Sequence, residues 1–289
     1  MQIEPFFDER TSTLTYVVHD VASRTAVVID PVLDFDAASG RTWTESADRV
    51  ARFLEAHRLR VPYVLDTHAH ADHLSAMPCF KARFGAKTVI GERIVDVQAV
   101  FREIFNLGDA LPCDGRQFDL LLGDGETLDV GPFAVEAIHT PGHTQACMSY
   151  LVGDALFVGD TLFQPDYGTA RCDFPGGSAE TLYASIQRLY SELPESTRVF
   201  TCHDYQPGGR ELAFESTLGA QRRANVQLRD GTPKDEFIEF RRTRDATLDM
   251  PALILPSIQV NVRAGVLPEP EDNGVSYLKL PVNALGGKR

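Results

Sequence analysis

Seven side chains able to bind a metal fall on four short segments, and each segment directly follows a short apolar run. Tyr63-Val64-Leu65 leads into Asp66-Thr67 and then His68-Ala69-His70-Ala71-Asp72-His73, an H-x-H-x-D-H pattern. Three of the chain's eight histidines thus lie within six residues. His143 stands in Thr140-Pro141-Gly142-His143-Thr144, Asp160 in Phe157-Val158-Gly159-Asp160-Thr161, and His203 in Phe200-Thr201-Cys202-His203-Asp204-Tyr205. A chain that uses these groups together must bring the ends of four strands to one place, as α/β folds do. In an extended segment, residues two apart point the same way, so His68 and His70 are expected to converge on one metal. Asp72 and His73 are displaced and face a second position. Imidazole and carboxylate donors suit Zn, Fe, Mn or Ni. A lone histidine is usually an ordinary core or surface residue, and His19, His57 and His139 are read that way. His139 is a strand residue or a donor behind a ligand.

The remaining pattern alternates strands and helices. Leu14 to Val18 and Thr25 to Ile29 read as strands rich in Val, Thr and Tyr. Thr42 and Glu45 have capping-box spacing, which predicts a helix start there, followed by Val50, Phe53 and Leu54 at helical spacing. Helices are predicted over 75–84, 94–105 and 181–193. Strands are predicted over 88–90, 118–122, 126–130, 133–138, 148–152, 155–158 and 198–201. Gly153-Asp154 marks a hairpin. Strands come in two groups, each followed by helices. The fold class expected is α/β, an αββα sandwich of two mixed β-sheets flanked by helices.

Charge and cysteine usage exclude several function classes. Lys and Arg number 28 against 41 Asp and Glu, a net charge of −13, which repels phosphate backbones and disfavours nucleic acid as a partner. No run of about 18 apolar residues is present, so no membrane span is expected. The start, Met1-Gln2-Ile3-Glu4-Pro5, has no basic or apolar stretch, so no secretory signal is expected. The five cysteines are odd in number and lack C-x-x-C spacing, which reads as reduced thiols in a cytoplasmic protein.

H-x-H-x-D-H together with T-P-G-H-T, V-G-D-T and C-H-D-Y resembles the metallo-β-lactamase superfamily over roughly residues 10 to 206. The segment after Asp160 narrows the resemblance. Gly168, Arg171, Asp173 and Phe174 match the G-x-x-R-T-D-F stretch of persulfide dioxygenases, with Cys172 in place of Thr. The run Asp166 to Gly177 and the tail Leu255-Pro256-Ser257-Ile258-Gln259-Val260-Asn261 resemble a bacterial branch of these enzymes. The resemblance implies one Fe(II) per chain held by His68, His143 and Asp160, two histidines and a carboxylate with three open positions. It implies oxidation of glutathione persulfide by O2 to sulfite and glutathione. His70, Asp72, His73 and His203 then stand behind the ligands or hold a second metal. Arg171 and Tyr205 match residues of the family's glutathione site. A further basic contact of the family aligns near Gln227, and Arg222 or Arg223 is the expected substitute.

All seven donors also fit a binuclear thioester hydrolase of the glyoxalase II type, with two zinc ions sharing a hydroxide. A metal-bearing scaffold or sensor without turnover is a third reading. Residues 1–206 are expected to form the catalytic domain. Residues 207–289 are expected to be a helical and irregular extension that completes the fold or makes an oligomer contact. The apolar run Leu253-Ile254-Leu255 suggests a homodimer or higher oligomer.

Overall fold

A computed structural model of the chain describes residues 1–285. The first half builds one six-stranded sheet. β1 (Gln2–Asp8), β2 (Thr13–Asp20) and β3 (Thr25–Ile29) form an antiparallel meander. β4 (Val32–Asp36) and β5 (Arg41–Trp43) then leave the sheet, and α1 (Glu45–Ala56) returns the chain to β6 (Arg60–Leu65), parallel to β3. β7 (Leu74–Ser75) pairs with β4 in a small three-stranded sheet. α2 (Met77–Phe84), β8 (Lys87–Gly91), α3 (Ile94–Ile104) and β9 (Leu120–Leu122) complete the parallel half, giving the order β1-β2-β3-β6-β8-β9.

The second sheet follows. β10 (Thr127–Asp129), β11 (Ala134–His139), β12 (Met148–Val152) and β13 (Ala155–Phe157) are antiparallel neighbours. α4 (Ala179–Glu192) crosses over to β14 (Arg198–Phe200), parallel to β13, and β15 (Glu215–Thr217) closes the edge. α5 (Leu218–Ala224), α6 (Lys234–Asp245) and α7 (Ile254–Asn261) complete the chain's helices.

Strand periodicity explains the layering. In β2, Leu14, Tyr16 and Val18 point between the two sheets, where they meet Tyr150, Phe157 and Phe200. Val17, one residue out of step, points the other way, toward Leu54 of α1 and Phe80 of α2. Both faces of the sheet are therefore buried, which is why its strands read as continuous apolar runs. On the far side of the second sheet, Leu156 and Val199 pack against Leu182 and Ile186 of α4 and Phe237 of α6. The result is an αββα sandwich with mixed sheets. No helix among the described residues is long and apolar enough to cross a membrane.

Three sequence expectations change. Thr42 lies in β5, and α1 starts after Thr44, so the Thr42–Glu45 capping box does not form. The Asp34 carboxylate of β4 takes that role from outside the helix, accepting from Ser46 N and Ser46 Oγ, each at 2.9 Å. β1 was not expected at all, because its Pro5 and flanking charges hide an edge strand. Leu253-Ile254-Leu255 packs inward: Ile254 is buried and Leu255 packs against the same core, so this run does not supply an exposed apolar face.

His19, near the end of β2, is buried beside the Phe53 and His57 rings, and neither ring nitrogen has a hydrogen-bond partner. Burial lowers its pKa below the usual 6.5. The unfolded chain then takes up a proton that the folded chain refuses, so His19 costs stability as pH falls below about 6.5. Replacing it with Phe is expected to flatten the loss of urea-unfolding stability between neutral and mildly acid pH. Equal slopes for the two proteins would contradict this.

Candidate metal centre

The C-terminal ends of β6, β11, β13 and β14 meet at one edge of the sandwich, and the four donor segments lie there. Two glycines allow the close approach. Gly142 has φ of 144° and lies so near α4 that a Cβ would stand 2.4 Å from Leu182 Cα. Gly159 has φ of 51°, and a Cβ there would stand 2.6 Å from Thr67 Oγ1. The sheets are tied at the same place, with Met148 N donating to Thr67 O at 2.9 Å and the Tyr150 hydroxyl to Asp66 O at 2.9 Å.

The histidines are oriented by their second nitrogen. His143 Nδ1 bonds Arg171 O at 2.8 Å, His73 Nδ1 bonds Leu74 O at 3.0 Å, and His203 Nδ1 bonds Ser12 O at 3.2 Å. His68 Nδ1 lies 3.0 Å from Thr67 Oγ1. In each ring Nε2 is left to face the centre. The buried Nε2 atoms of His68, His73 and His203 have no partner, and neither do Asp72 Oδ2 and Asp160 Oδ1. Buried polar atoms without partners are costly, and cation binding among these donors would relieve that cost.

The donors form overlapping sets. His68, His143 and Asp160 offer ligand atoms within 4.8 Å of one another, and so do His70, Asp72 and His73. Asp160 Oδ2 lies 3.6 Å from His143 Nε2 and 3.9 Å from His68 Nε2. Its Oδ1 lies 3.4 Å from His203 Nε2, which is 3.2 Å from Asp72 Oδ2. Donors about 2.1 Å from a shared ion stand roughly 3 to 3.5 Å apart, so a small contraction suffices to bind one. Burial, then the neighbouring His70 and His143, hold His68 well below its ordinary pKa, so its ring is neutral and ready to ligate.

His70 departs from the expectation drawn from alternation. It does not join the set of His68, His143 and Asp160, although the His68 and His70 rings lie 4.1 Å apart. The loop is bent rather than extended, and Asp30 draws His70 Nε2 to 2.9 Å. Burial opposes a charge on His70, but the Asp30 carboxylate overcomes it and holds the group up at about 9. Asp30, at the end of β3, escaped the sequence reading because it sits alone, outside any donor motif. It also accepts from Thr67 N at 2.7 Å and from Thr67 Oγ1.

A cavity of about 510 Å³ opens over this centre. His143 and Asp160 form its floor, and Phe163, Phe174, Tyr167 and Tyr205 its walls. Arg171 lines it with the guanidinium forked onto Asp173 at 2.6 and 2.7 Å and stacked over Phe174 at 5.0 Å. Tyr205 stacks on His203, with ring centroids 5.6 Å apart. Arg222 and Arg223 do not line the cavity. Arg222 pairs with Asp230 and Glu195, and Arg223 pairs with Glu195, on an outward face of α5, so neither substitutes for a cation at position 227.

Gln227 does line the cavity, and its Oε1 accepts from the buried Arg241 of α6 at 2.8 Å. Arg241 also donates to Thr169 O at 3.0 Å and to Asp245 Oδ1 at 2.5 Å, while Asp245 Oδ2 accepts from Cys172 N at 2.9 Å. α6 thereby braces the loop whose Arg171 carbonyl orients His143. This long-range brace was not visible in the sequence pattern. Cys172 is buried, and burial pushes its thiol pKa well up, so it is a wall residue.

Asp30 holds Thr67, and Thr67 Oγ1 holds His68, so Asp30→Asn is expected to weaken metal binding. The expected loss is about 10- to 100-fold in zinc affinity, read by chelator competition. An unchanged affinity in a folded variant would show that Asp30 does not orient the donors.

A profile of the metallo-beta-lactamase superfamily matches residues 9–203. A probable metallo-hydrolase of Burkholderia pseudomallei is 53% identical, covering 99% of this chain and 100% of that protein. Glyoxylase B2 of Dictyostelium discoideum is 47% identical over 98% of each. The human mitochondrial persulfide dioxygenase ETHE1 is 30% identical, covering 91% of this chain and 89% of that protein. The crystal structure of ETHE1 from Myxococcus xanthus superposes with a TM-score of 0.74 at 31% identity, covering 92% of this chain and 100% of that one.

Proposed function

The chain belongs to the metallo-beta-lactamase superfamily, and from that premise we propose that it is an iron-dependent persulfide dioxygenase acting on glutathione persulfide. The observation that carries the reading is the donor set of His68, His143 and Asp160, two imidazoles and one carboxylate facing an open cavity. Likeness to persulfide dioxygenases over most of the chain supports it.

His68, His143 and Asp160 would hold a ferrous ion, which would supply the redox electrons for the reaction with O2. The balanced reaction takes the persulfide, O2 and one water to the thiol, sulfite and two protons. Phe163 and Phe174 give the cavity apolar walls beside the donors, which would limit side oxidation. The Tyr205 hydroxyl presents a donor to the carboxylates of the substrate, while Arg171, held by Asp173 and the Asp249 carbonyl, adds positive charge to the cavity wall. Among the described residues the hydroxyl of Tyr205 makes no hydrogen bond, and the residue is 42% exposed, so it is available to a ligand. His203 Nε2 stands between Asp72 and Asp160, 3.2 Å from the first and 3.4 Å from the second.

A second reading, a binuclear thioester hydrolase, is favoured by one observation. Asp160 presents one oxygen to each donor set, which suits a bridging ligand. The names of the Burkholderia and Dictyostelium relatives also point toward hydrolysis.

Oxygen-electrode assays with glutathione persulfide are expected to give O2 uptake with one sulfite per O2, while S-lactoylglutathione is left intact. Thioester hydrolysis without O2 uptake would overturn the reading. Tyr205→Phe is expected to raise KM for glutathione persulfide by about 2- to 10-fold with little change in kcat, the value of one hydrogen bond. An unchanged KM would remove Tyr205 from the substrate site.

A further inference from the structure

A second cavity, also of about 510 Å³, lies at the opposite end of α7 from the metal centre. Leu253, at the start of α7, lines the first cavity, while Gln259 and Arg263, at and beyond its end, line the second. The two mouths are thus separated by a helix of 8 residues, about 12 Å long.

Arg263 is the unusual member. Only 9% of it is exposed, yet no carboxylate lies within ion-pair distance of its guanidinium among the described residues. Nη1 donates to Gln259 O at 2.6 Å, and Nε and Nη2 have no partner among the described residues. Neither of these two nitrogens is among the sealed, partnerless atoms, so that edge of the guanidinium remains open to the cavity it lines. Buried arginines are normally paired, because desolvating a charge without compensation is costly. The other cations of the cavity are already engaged. Arg116 is forked onto Asp114, and Lys279 Nζ is held by the Asn106 carbonyl.

The surroundings define what fits. Leu107, Pro112, Leu267 and the ring of Tyr277 supply apolar walls. Glu269 and Glu271, both exposed, stand at the rim and disfavour polyanions. The free Nε–Nη2 edge of Arg263 matches a carboxylate, which accepts two parallel hydrogen bonds.

We infer that this cavity is a second ligand site, specific for a small monocarboxylate carried on an apolar body. Burial lowers the Arg263 pKa, and a bound carboxylate reverses that penalty. The site is separate from the metal centre and does not depend on which reaction the centre performs.

Calorimetric titration of the metal-loaded full chain with benzoate tests the inference. Saturable binding at one site is expected, with benzamide and inorganic phosphate at least tenfold weaker. Arg263→Gln is expected to weaken benzoate at least tenfold. Val266→Trp, which fills the cavity from a half-exposed position and leaves Arg263 in place, is expected to do the same. His143→Ala is expected to leave benzoate binding intact, which separates this site from the metal cavity. The inference is overturned by an absence of binding up to about 10 mM benzoate, by binding that survives Val266→Trp, or by binding lost in His143→Ala.

Discussion

The buried carboxylate of Asp30 is the contact on which the centre depends. It ends β3, accepts the backbone N–H and hydroxyl of Thr67 at the end of β6, and holds His70. Thr67 in turn accepts from Met148 of the second sheet and meets the His68 ring. One carboxylate therefore fixes Thr67, which bonds the second sheet through its carbonyl and meets the first donor of the metal loop through its hydroxyl. Asp30, Thr67 and His70 are all buried, so each of these bonds is stronger than on the surface, and losing one leaves a buried group unsatisfied.

The same loop is clamped from the far end of the chain. Asn261 Nδ2 donates to the carbonyls of His70 and His73, each at 2.8 Å, and its Oδ1 accepts from Ser75 N at 2.8 Å. β15 completes the second sheet, and α6 braces the loop behind His143. The segment after residue 206 thus contributes a strand, a brace and a clamp to the architecture around the metal loop. The donors are rigid because backbone carbonyls from several elements orient their second nitrogens.

Much of this was legible in the sequence. The donor segments follow apolar strands because strand ends are where polar loops can leave a buried sheet, and those strands were readable from Val, Ile, Leu and Phe runs. The hairpin at Gly153-Asp154 and the helix faces of α1 and α4 followed from local periodicity. What escaped reading depends on contacts far apart in sequence. Asp34 replaces the Thr42 cap, and Asn261 reaches back more than 180 residues to the histidine loop. Arg241 and Asp245 look like a solvated pair on a charged helix, yet they are buried under the cavity wall. Arg222 and Arg223 carry the right charge on the wrong face of α5. Bending of the metal loop defeated the two-residue alternation that placed His70 on the same metal as His68.

The metal centre sits between one-metal and two-metal chemistry, and Asp160 is the pivot. Its Oδ2 completes the set with His68 and His143, while Oδ1 faces His203 and through it Asp72. The proposed reaction uses one iron held by His68, His143 and Asp160, with no ion in the second set. Metal content per chain, read by mass spectrometry after anaerobic loading with excess ferrous iron and desalting, tests this most directly. The account predicts one iron per chain. Two tightly held ions per chain would contradict it and make His70, Asp72, His73 and His203 ligands in their own right.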